Sequence, residues 1–419
     1  MKVLLLADYF YPYNPGGTEW SVYELAKLLK KNKIDAKIVT LNYGAKDKET
    51  LDGIEIIRLP FPKRLNDRRK VVNPIWQNNP IFFATSAFQI FKIIKSENPD
   101  VIHVHGKFLI PGAIIAGFFT KKPVIATIRD KQIFCPIGRC FFDTKRYKAC
   151  NFWQYLLSDF PWFIENYTNK NPFAITYALF GVTWSRLAGN IIKFFAERAT
   201  LVTTISISQK KYLKANGFKD VKVIYNTANF QRPKATRSKI KSVLFVGKLS
   251  KGKGIEVLLD AAKSLLKSHK IMFVFAGSLR FPKIKNVLEE KSLRSHIKLL
   301  GSVNYKNLPS VYRKASVVVM PSIYPESFGR VALEALSFGT PVVVTNIGAL
   351  PEIIQNRITG RIVRPDARDL SRAILEILKN ENVYIRNIRK EYPNLKKIFF
   401  EQPTRQILEL YRSLAGSSK

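Results

Sequence analysis

Acidic side chains are scarce in this sequence, and it has no uncharged apolar run of the roughly 20 residues that a membrane-spanning helix needs. Asp and Glu number 31 against 69 Lys and Arg, which gives a formal net charge of +38. Such an excess predicts an acidic partner: nucleic acid, anionic lipid or a highly phosphorylated substrate. Zinc-finger spacing, an aromatic and basic RNA-binding motif and a basic region with heptads are all missing. We therefore expect no nucleic-acid partner.

Cysteine is also rare. The three cysteines, Cys135, Cys140 and Cys150, are too few and odd in number for a secreted disulfide scaffold. A zinc site would need a fourth ligand, and no histidine lies nearby in sequence, so a metal is the less favoured alternative. The N-terminal run MKVLLLADYF is too short for a signal peptide. We expect a cytosolic protein that needs neither a metal nor another cofactor.

The length and the apolar content indicate two folded domains. The 419 residues exceed one ordinary core, and 46% apolar residues with 12% aromatics exclude a disordered chain. Short unalternating apolar runs predict strands buried on both faces of parallel sheets. These predicted strands are 3–7, 36–41, 54–59, 100–105, 123–128, 199–205, 221–225, 242–246, 271–276, 297–300, 317–319 and 342–344.

The stretch from 316 to 346 is the most informative part of the chain. Val317–Val319 predicts a buried strand, Val331–Leu336 a helix with Ser327 as its cap, and Val342–Val344 a second buried strand. This is a βαβ unit. Ligands of open parallel sheets bind beyond the carboxyl ends of the strands, where helix N-termini present free N–H groups. The loop 325–330 is therefore a predicted site for an anionic ligand.

Two carboxylates mark this loop and helix. Glu326 precedes the helix and Glu334 lies within it, and eight positions return near the same side of a helix. Both side chains could face one elongated ligand at different depths. A solvated surface acid is the alternative for each, but the neighbours of Glu334 are apolar, so its carboxylate needs a hydroxyl or N–H partner.

The segment PSIYPESFGRVALEALSFGTPVV resembles the C-terminal domain of the retaining glycosyltransferases of family 4, which carry a proline-serine loop, E-x7-E and a G-T-P-V-V stretch. The resemblance implies that Glu326 bonds hydroxyls of the donor sugar and that Glu334 holds the ribose of a nucleotide. Ser327 and the backbone of Phe328, Gly329 and Arg330 would lie at the sugar and phosphate. A helix N-terminus between two carboxylates suits a diphosphate that joins sugar to nucleoside.

Glycine and lysine positions extend the implied donor site. The loop Gly16-Gly17 follows the first strand and precedes a helix, and in the similar family such a loop faces the donor. After the strand 242–246, Lys248 and Lys253 match a pattern whose basic residues contact the diphosphate; Lys248 stands where Arg is usual. Gly277-Ser278 follows the strand 271–276 and would approach the nucleotide.

The run DVIHVH places His103 and His105 at alternate strand positions, from which we expect their imidazoles to point to opposite faces of the sheet. His103 is predicted to be a packed residue. By the resemblance, His105 contacts the transferred sugar. The family commonly has His-Asp at the next strand end, whereas this chain has Arg129-Asp130. Asp130 is a candidate to orient an acceptor hydroxyl; capping the following segment is the alternative.

Aromatic and basic residues cluster in the first half of the chain. Basic loops at 63–70 and 139–148 lie next to aromatic stretches, including Trp153 and Trp162 within 151–195. This combination is typical of a surface that binds anionic membranes, and a packed core is the alternative for the aromatics. We expect a peripheral protein on the inner face of the cell membrane.

The patterns predict an α/β fold with two parallel-sheet domains, and the resemblance implies the GT-B type, two Rossmann-like domains with parallel sheets that face a central cleft. The boundaries are 1–232 for an acceptor-binding domain with an aromatic insertion at about 151–195, 240–398 for a nucleotide-sugar domain, and 399–419 for a helix that returns to the first domain. The expected reaction is metal-independent transfer of a sugar, with retention, from a nucleotide sugar to a glycan or lipid-linked acceptor. A nucleotide-sugar epimerase and a non-enzymatic polyanion-binding protein are the alternatives.

Overall fold

The computed structural model describes residues 1–13, 16–67, 71–134, 149, 151–161, 164, 171–227, 240–279 and 291–416. The chain divides into two compact units. The first unit is Met1–Thr227 with Gln402–Lys419, and the second is Ala228–Glu401. Cys135, Cys140, Cys150, Trp162 and the basic loop 139–148 lie outside the described residues.

A mostly parallel sheet forms the centre of the first unit. Its strands are β1 Lys2–Ala7, β2 Asp35–Leu41, β3 Lys48–Leu51, β4 Ile54–Leu59, β5 Val101–Val104, β6 Val124–Ile128, β7 Leu201–Thr204 and β8 Lys222–Val223. The order is β3-β4-β2-β1-β5-β6-β7-β8, in which β3 alone is antiparallel to its neighbour. β1 and β5 are buried along nearly their whole length, as expected for strands covered on both faces.

Helices cover this sheet. They are α1 Thr18–Lys31, α2 Pro80–Glu97, α3 Ile110–Thr120, α4 Pro172–Ala196 and α5 Ile207–Ala215, with short turns at Pro74–Trp76, Lys107–Leu109, Lys131–Ile133, Phe152–Gln154 and Tyr155–Asp159. α2 packs on α3, which packs on α4. Inward residues of these three helices, such as Ile90, Ile114 and Ile192, share one apolar core with Leu4 and Val104 of the sheet. None of the helices in the described ranges is long and apolar enough to cross a bilayer.

The second unit has an all-parallel sheet. Its strands are β9 Ser242–Val246, β10 Met272–Ala276, β11 Ile297–Gly301, β12 Val317–Met320, β13 Val342–Thr345 and β14 Gly360–Val363. The order β11-β10-β9-β12-β13-β14 reverses direction between β9 and β12. In open α/β sheets this reversal opens a crevice at the carboxyl ends of the two strands. This strand order therefore places the candidate site of the second unit at the carboxyl ends of β9 and β12.

The helices of the second unit are α6 Ile255–Leu266, α7 Leu308–Lys314, α8 Arg330–Ser337, α9 Ala367–Lys379 and α10 Glu381–Lys396, with short turns at Lys251–Lys253, Lys291–Arg294, Tyr305–Asn307, Leu350–Glu352 and Lys397–Glu401. The last helix, α11 Gln402–Gly416, belongs to the first unit. Its Tyr411 is fully buried there.

The predicted α/β class with two parallel-sheet domains is confirmed, and the twelve strand predictions each correspond to a strand. β3 and β14 were not predicted. The capping role of Ser327 is wrong: α8 begins at Arg330, its cap is Gly329, and no side chain caps it. Gly329 has φ 107°, a left-handed conformation that glycine adopts without strain.

Candidate functional site

The loop between β12 and α8 holds an ion pair. Glu326 Oε1 lies 2.5 Å from Lys253 Nζ and accepts a hydrogen bond of 2.7 Å from the Ser322 hydroxyl. The backbone fixes the loop as well, because Ala349 N–H donates to the Glu326 carbonyl over 2.9 Å. Lys253 comes from the turn after β9 and Glu326 from the loop after β12, so the pair lies at the reversal of strand order.

The charge on Lys253 is held by its neighbours. Burial alone lowers the pKa of a lysine, but Glu326 and Tyr324 outweigh it and raise the Lys253 pKa above its ordinary value. The ammonium therefore stays protonated throughout the physiological range. An ammonium has three N–H donors, and its bond to Glu326 uses one of them.

Glu334 forms a second ion pair on α8. Its Oε1 accepts 2.6 Å from Arg330 Nε, and its Oε2 accepts 2.8 Å from the buried Tyr312 hydroxyl. Arg330 in turn donates to the Tyr305 hydroxyl over 2.5 Å. The prediction that Glu334 needs a hydroxyl or N–H partner is confirmed. Each carboxylate oxygen can accept more than one hydrogen bond, so Glu334 retains capacity for a ligand hydroxyl.

Close backbone contacts shape the same edge of the sheet. A Cβ on Gly254, where φ is 72°, would lie 1.7 Å from the Pro321 carbonyl oxygen. A Cβ on Gly277 would lie 1.7 Å from the Gly247 carbonyl oxygen. Only glycine fits at either place. The carboxyl ends of β9, β10 and β12 therefore approach each other closely.

The other donor residues predicted in this unit lie at the same edge. Lys248 is exposed, and Ser278 accepts 2.9 Å at its carbonyl from Leu249 N–H. Phe328 is buried and packs edge-on against Phe399, with ring centroids 6.3 Å apart. Phe328 therefore contributes packing, and the role of its backbone at the donor stays a prediction.

The predicted donor loop Gly16-Gly17 of the first unit is held by a side chain of the helix that follows it. Gly16 N–H donates 3.0 Å to the buried Glu19 carboxylate, which lies in the first turn of α1. A Cβ on Gly17 would meet no atom within 4 Å. The backbone after β1 is thus tied to α1, and the space beside Gly17 is open within the described residues.

The two strand histidines of the first unit lie side by side. Their ring centroids are 3.9 Å apart, so the expectation that they point to opposite faces is wrong. Residues two apart on a strand share a face, and only consecutive residues alternate. His103 Nδ1 lies 2.5 Å from the Tyr411 hydroxyl and its Nε2 lies 2.5 Å from Thr127 Oγ1. His103 is buried with both ring nitrogens bonded, as its predicted packing role requires.

His105 points into a small pocket. Arg129 donates to His105 Nδ1 from Nη2 over 2.8 Å and from Nε over 3.3 Å, and its Nη1 donates 2.6 Å to Asn226 Oδ1. Burial, followed by the charges of His103 and Arg129, lowers the pKa of His105 well below its ordinary value. His105 is therefore neutral. The pocket has a volume of about 40 Å³. Its lining residues are Ser21, Leu25, His103, His105, Thr127, Arg129, Thr203, Ile205, Ile224, Tyr225, Asn226, Thr227, Pro403 and Ile407.

Two aspartates follow the ends of β1 and β6 in the sequence. The predicted Asp130 is half-buried after β6. Asp8, which sequence reasoning missed, follows β1 and accepts 3.3 Å and 3.2 Å from Phe108 and Leu109 N–H. Burial raises the pKa of Asp8 to about 7. Its position directly after a buried strand was the signal that would have identified it.

The predicted site residues thus form two groups, one in each unit. Lys253, Glu326, Arg330 and Glu334 lie together in the second unit, and His105 and Asp130 follow neighbouring strands of the first. No cluster of three or more His, Cys, Asp or Glu with metal-binding geometry occurs in the part of the chain that the structure describes.

Two family models match the chain. The profile of Glycosyltransferase Family 4 matches residues 15–232, just over half of the chain, and that of Glycosyl transferases group 1 matches residues 226–393. The chain belongs to Glycosyltransferase Family 4. It is therefore a transferase that moves a sugar, which removes the epimerase and the non-enzymatic binding protein as alternatives.

Relatives of this glycosyltransferase span most of its length. Two uncharacterised glycosyltransferases of Methanocaldococcus jannaschii are 28% identical over 88% of this chain and 86% of their own, and 26% identical over 99% of both. Sucrose-phosphate synthase of Thermosynechococcus elongatus has a similar fold, with a TM-score of 0.73 at 19% identity over 99% of both chains. HepE of Anabaena, solved with UDP-glucose, gives 0.69 at 19% identity over 99% of this chain and 100% of its own. These structures share the GT-B fold.

Proposed function

We propose that this glycosyltransferase moves a sugar from a nucleoside diphosphate sugar to an acceptor hydroxyl, with retention of configuration and without a metal ion. The observation that supports this best is the pair Lys253 and Glu326 at the strand reversal of the second unit, 2.5 Å apart. The pair combines a cation for a diphosphate with a carboxylate for sugar hydroxyls. The complex of HepE with UDP-glucose supports the choice of donor class.

The donor binds along the edge that β9, β12 and α8 share. Lys253 uses its remaining N–H donors on the diphosphate, and the N-terminus of α8 adds its dipole. Glu326 accepts hydrogen bonds from the sugar hydroxyls, and Glu334 accepts from the ribose. Lys253 and the N-terminus of α8 together stabilise the negative charge of the leaving diphosphate, as a bound metal ion does in other transferases.

Both carboxylates at this edge are held in ion pairs, and we assign them to sugar and ribose hydroxyls and not to attack on the anomeric carbon. We therefore favour attack of the acceptor hydroxyl on the same face of the sugar that the diphosphate leaves. The bond from the anomeric carbon to the diphosphate oxygen breaks as the bond to the acceptor oxygen forms. The leaving phosphate oxygen takes the acceptor proton.

A screen of nucleotide sugars by thermal unfolding tests the donor class. A ligand at 100 times its dissociation constant stabilises the folded state by about 2.7 kcal/mol. We expect one or a few nucleotide sugars to raise the melting temperature, and the free sugars to leave it unchanged. A melting temperature that no nucleotide sugar or nucleoside diphosphate raises would contradict the proposal.

Product analysis tests stereochemistry and metal independence together. With the donor from the screen, the anomeric proton coupling in the NMR spectrum of the product should show the same configuration as the donor. Turnover should persist after dialysis against EDTA. An inverted product would refute same-face attack, and turnover lost to EDTA and restored by a divalent cation would refute metal independence.

We also propose that the acceptor is a lipid-linked or membrane-associated glycan and that the enzyme acts as a peripheral protein at the inner face of the membrane. The outward side of the layer α2, α3 and α4 carries large apolar side chains, which we call the outer apolar surface. Its members are Ile81, Phe88, Phe118, Phe119, Phe173, Phe180, Leu187 and Phe194. Phe173 is 87% exposed and Phe118 is 78% exposed. Monomeric soluble proteins rarely leave such a set uncovered.

Basic residues accompany the outer apolar surface. Lys92 Nζ lies 4.3 Å from the Phe88 ring centre, and the Arg198 guanidinium lies 3.4 Å from that of Phe194. In the loop before α2, Lys63 Nζ lies 4.1 Å from the Trp76 ring centre. Each Lys or Arg near an anionic surface contributes roughly 1 kcal/mol, and aromatic rings anchor at the headgroups. The net charge of +38 far exceeds what one donor diphosphate requires.

Vesicle sedimentation tests this surface. The protein should bind vesicles that contain anionic lipid at low salt, and binding should weaken as salt rises. Phe88→Ser and Trp153→Ser should each reduce binding, because both side chains are exposed in the first unit. Val383→Ser is the matched control, since Val383 is an exposed apolar residue of the second unit. No binding to anionic vesicles at low salt, or an equal loss with Val383→Ser, would refute the proposal.

A further inference from the structure

Arg129 occupies the position at which the similar family commonly has a histidine, and its guanidinium bridges two neighbours. Nη2 and Nε donate to His105 Nδ1 over 2.8 and 3.3 Å, and Nη1 donates 2.6 Å to the Asn226 side-chain oxygen. Arg129 follows β6 and His105 follows β5, so two adjacent parallel strands bring the groups together.

The bond from Arg129 decides where the proton of His105 resides. A guanidinium has five N–H donors and accepts nothing, so His105 Nδ1 must offer its lone pair. A neutral imidazole whose Nδ1 accepts carries its proton on Nε2. An imidazolium would place an Nδ1–H against a guanidinium N–H and two positive charges side by side. Arg129 therefore excludes both the other tautomer and the charged form.

His103 cannot supply the same constraint. Its ring centroid lies 3.9 Å from that of His105 with the two ring planes tilted by 38°, but both of its nitrogens are engaged, with the Tyr411 hydroxyl and with Thr127 Oγ1. Thr127 is bonded onward to Thr203 Oγ1 over 2.6 Å. Of the partners that the structure gives His105, only Arg129 bonds its Nδ1.

The other nitrogen of His105 is directed at the pocket. Nε2 is buried and has no hydrogen-bond partner among the described residues, although His105 lines the pocket together with Asn226 and Thr227. A buried N–H without a partner is costly, and a ligand oxygen placed in the pocket removes that cost.

We propose that Arg129 is a positioning residue that fixes His105 as a neutral Nε2–H donor to a sugar hydroxyl oxygen in this pocket. His105 is thereby a hydrogen-bond donor and not a base that removes the acceptor proton. This rests on the proposed function for the identity of the ligand. The tautomer itself depends only on Arg129.

Nitrogen NMR of the whole chain labelled with 15N-histidine measures the tautomer without any substrate. The sequence has four histidines, and His105→Asn identifies the signals of His105 by their loss. The wild type should show the Nε2–H pattern at His105. Arg129→Gln keeps an N–H donor without the charge and should preserve that pattern, whereas Arg129→Met should give exchange between tautomers. Arg386→Met, the same change at an exposed arginine of the second unit, should leave the His105 signals unchanged.

Kinetics with the donor found in the screen complete the test. Arg129→Met should lower kcat by about tenfold or more with little change in the KM of the nucleotide sugar, and Arg129→Gln should recover most of the loss. An Nδ1–H signal in the wild type, an unchanged tautomer in Arg129→Met, or full turnover in Arg129→Met would each overturn the proposal. If the tautomers behave as expected but the wild type transfers no sugar, the proposed function fails and the role of Arg129 in fixing the tautomer stands.

Discussion

The two units hold polar groups at the carboxyl ends of their sheets in opposite ways. In the second unit the partly buried groups are ion pairs, Lys253 with Glu326 and Arg330 with Glu334. In the first unit the central groups are the imidazoles of His103 and His105, whose ring planes are tilted by 38°, and burial lowers the pKa of each well below its ordinary value. The same kind of sheet edge thus carries pairs of opposite charges in one unit and neutral imidazoles beside an arginine in the other.

The difference follows from what each group is bonded to. A buried charge persists only with a partner, as the raised pKa of Arg330 beside Glu334 shows despite its burial. The histidines have only hydroxyls and one guanidinium as hydrogen-bond partners, so burial keeps them neutral. Cations suit a nucleoside diphosphate, whereas carboxylates and neutral imidazoles can both bond sugar hydroxyls.

The largest effect should come from Glu326→Gln. It removes the charge that accepts sugar hydroxyls, and charge-assisted hydrogen bonds of about 1.5 to 3 kcal/mol make kcat fall by about 10- to 100-fold. Donor affinity should change little. Steady-state kinetics measures both. Glu256→Gln is the control, because Glu256 forms only a surface pair with Lys251 at 3.9 Å. Wild-type turnover in Glu326→Gln would show that transfer does not need the charge of this carboxylate in the second unit.

Lys253→Met should weaken the binding of a nucleoside diphosphate by about tenfold or more, because one charge-assisted contact to the diphosphate is lost. Isothermal titration calorimetry measures it. Lys251→Met, two residues earlier and 43% exposed at its side chain, should leave the affinity unchanged. Equal affinity in wild type and Lys253→Met would show that the diphosphate does not use this ammonium.

Glu334→Gln should weaken nucleotide sugar and free nucleotide alike, by about fivefold to tenfold, because it removes one ribose contact. The equal loss for the two ligands distinguishes it from Glu326→Gln, which acts mainly on turnover. Competition binding with the free nucleotide gives the comparison. An unchanged affinity for free nucleotide would refute the ribose assignment.

The smallest effect should come from the first unit. Tyr411→Phe removes the hydroxyl bonded to His103 and should lower the free energy of unfolding by about 1 kcal/mol. The affinity for nucleotide should stay as in wild type, since Tyr411 belongs to the first unit. Urea unfolding and calorimetry measure the two quantities. A loss of nucleotide affinity would show that the histidine network contributes to donor binding.

Sequence patterns predicted the strands well because buried parallel strands are short continuous apolar runs, as in Val317–Met320 and Val342–Thr345. They missed β3 and β14. Lys48–Leu51 is an exposed or half-buried edge strand rich in polar residues, and Gly360–Val363 includes a glycine and an arginine. These two edge strands lack the continuous apolar run on which the prediction depends. Ser327 as a cap failed because Gly329, with its positive φ, starts the helix two residues later.

In the candidate sites, residue identity was predictable and pairing was not. Glu326, Lys253 and Glu334 were all selected from motif and spacing, but spacing does not show that Lys253 bonds Glu326, 73 positions away. Arg129 was noted only as a departure from a pattern, and its bond to His105 needs the register of β5 and β6. The shared face of His103 and His105 was available from the sequence, because residues two apart on a strand point the same way.

The bond between His103 and Tyr411 has a consequence for the order of folding. The two residues are 308 positions apart, and the whole of the second unit lies between them in the sequence. During synthesis β5 leaves the ribosome long before α11 does, so the wall of the pocket that Pro403 and Ile407 provide is added last. A loop of this length carries a large closure entropy unless its interior has already folded. Once the second unit has folded, the segment between His103 and Tyr411 is shorter in effect, and α11 can then pack on the first unit.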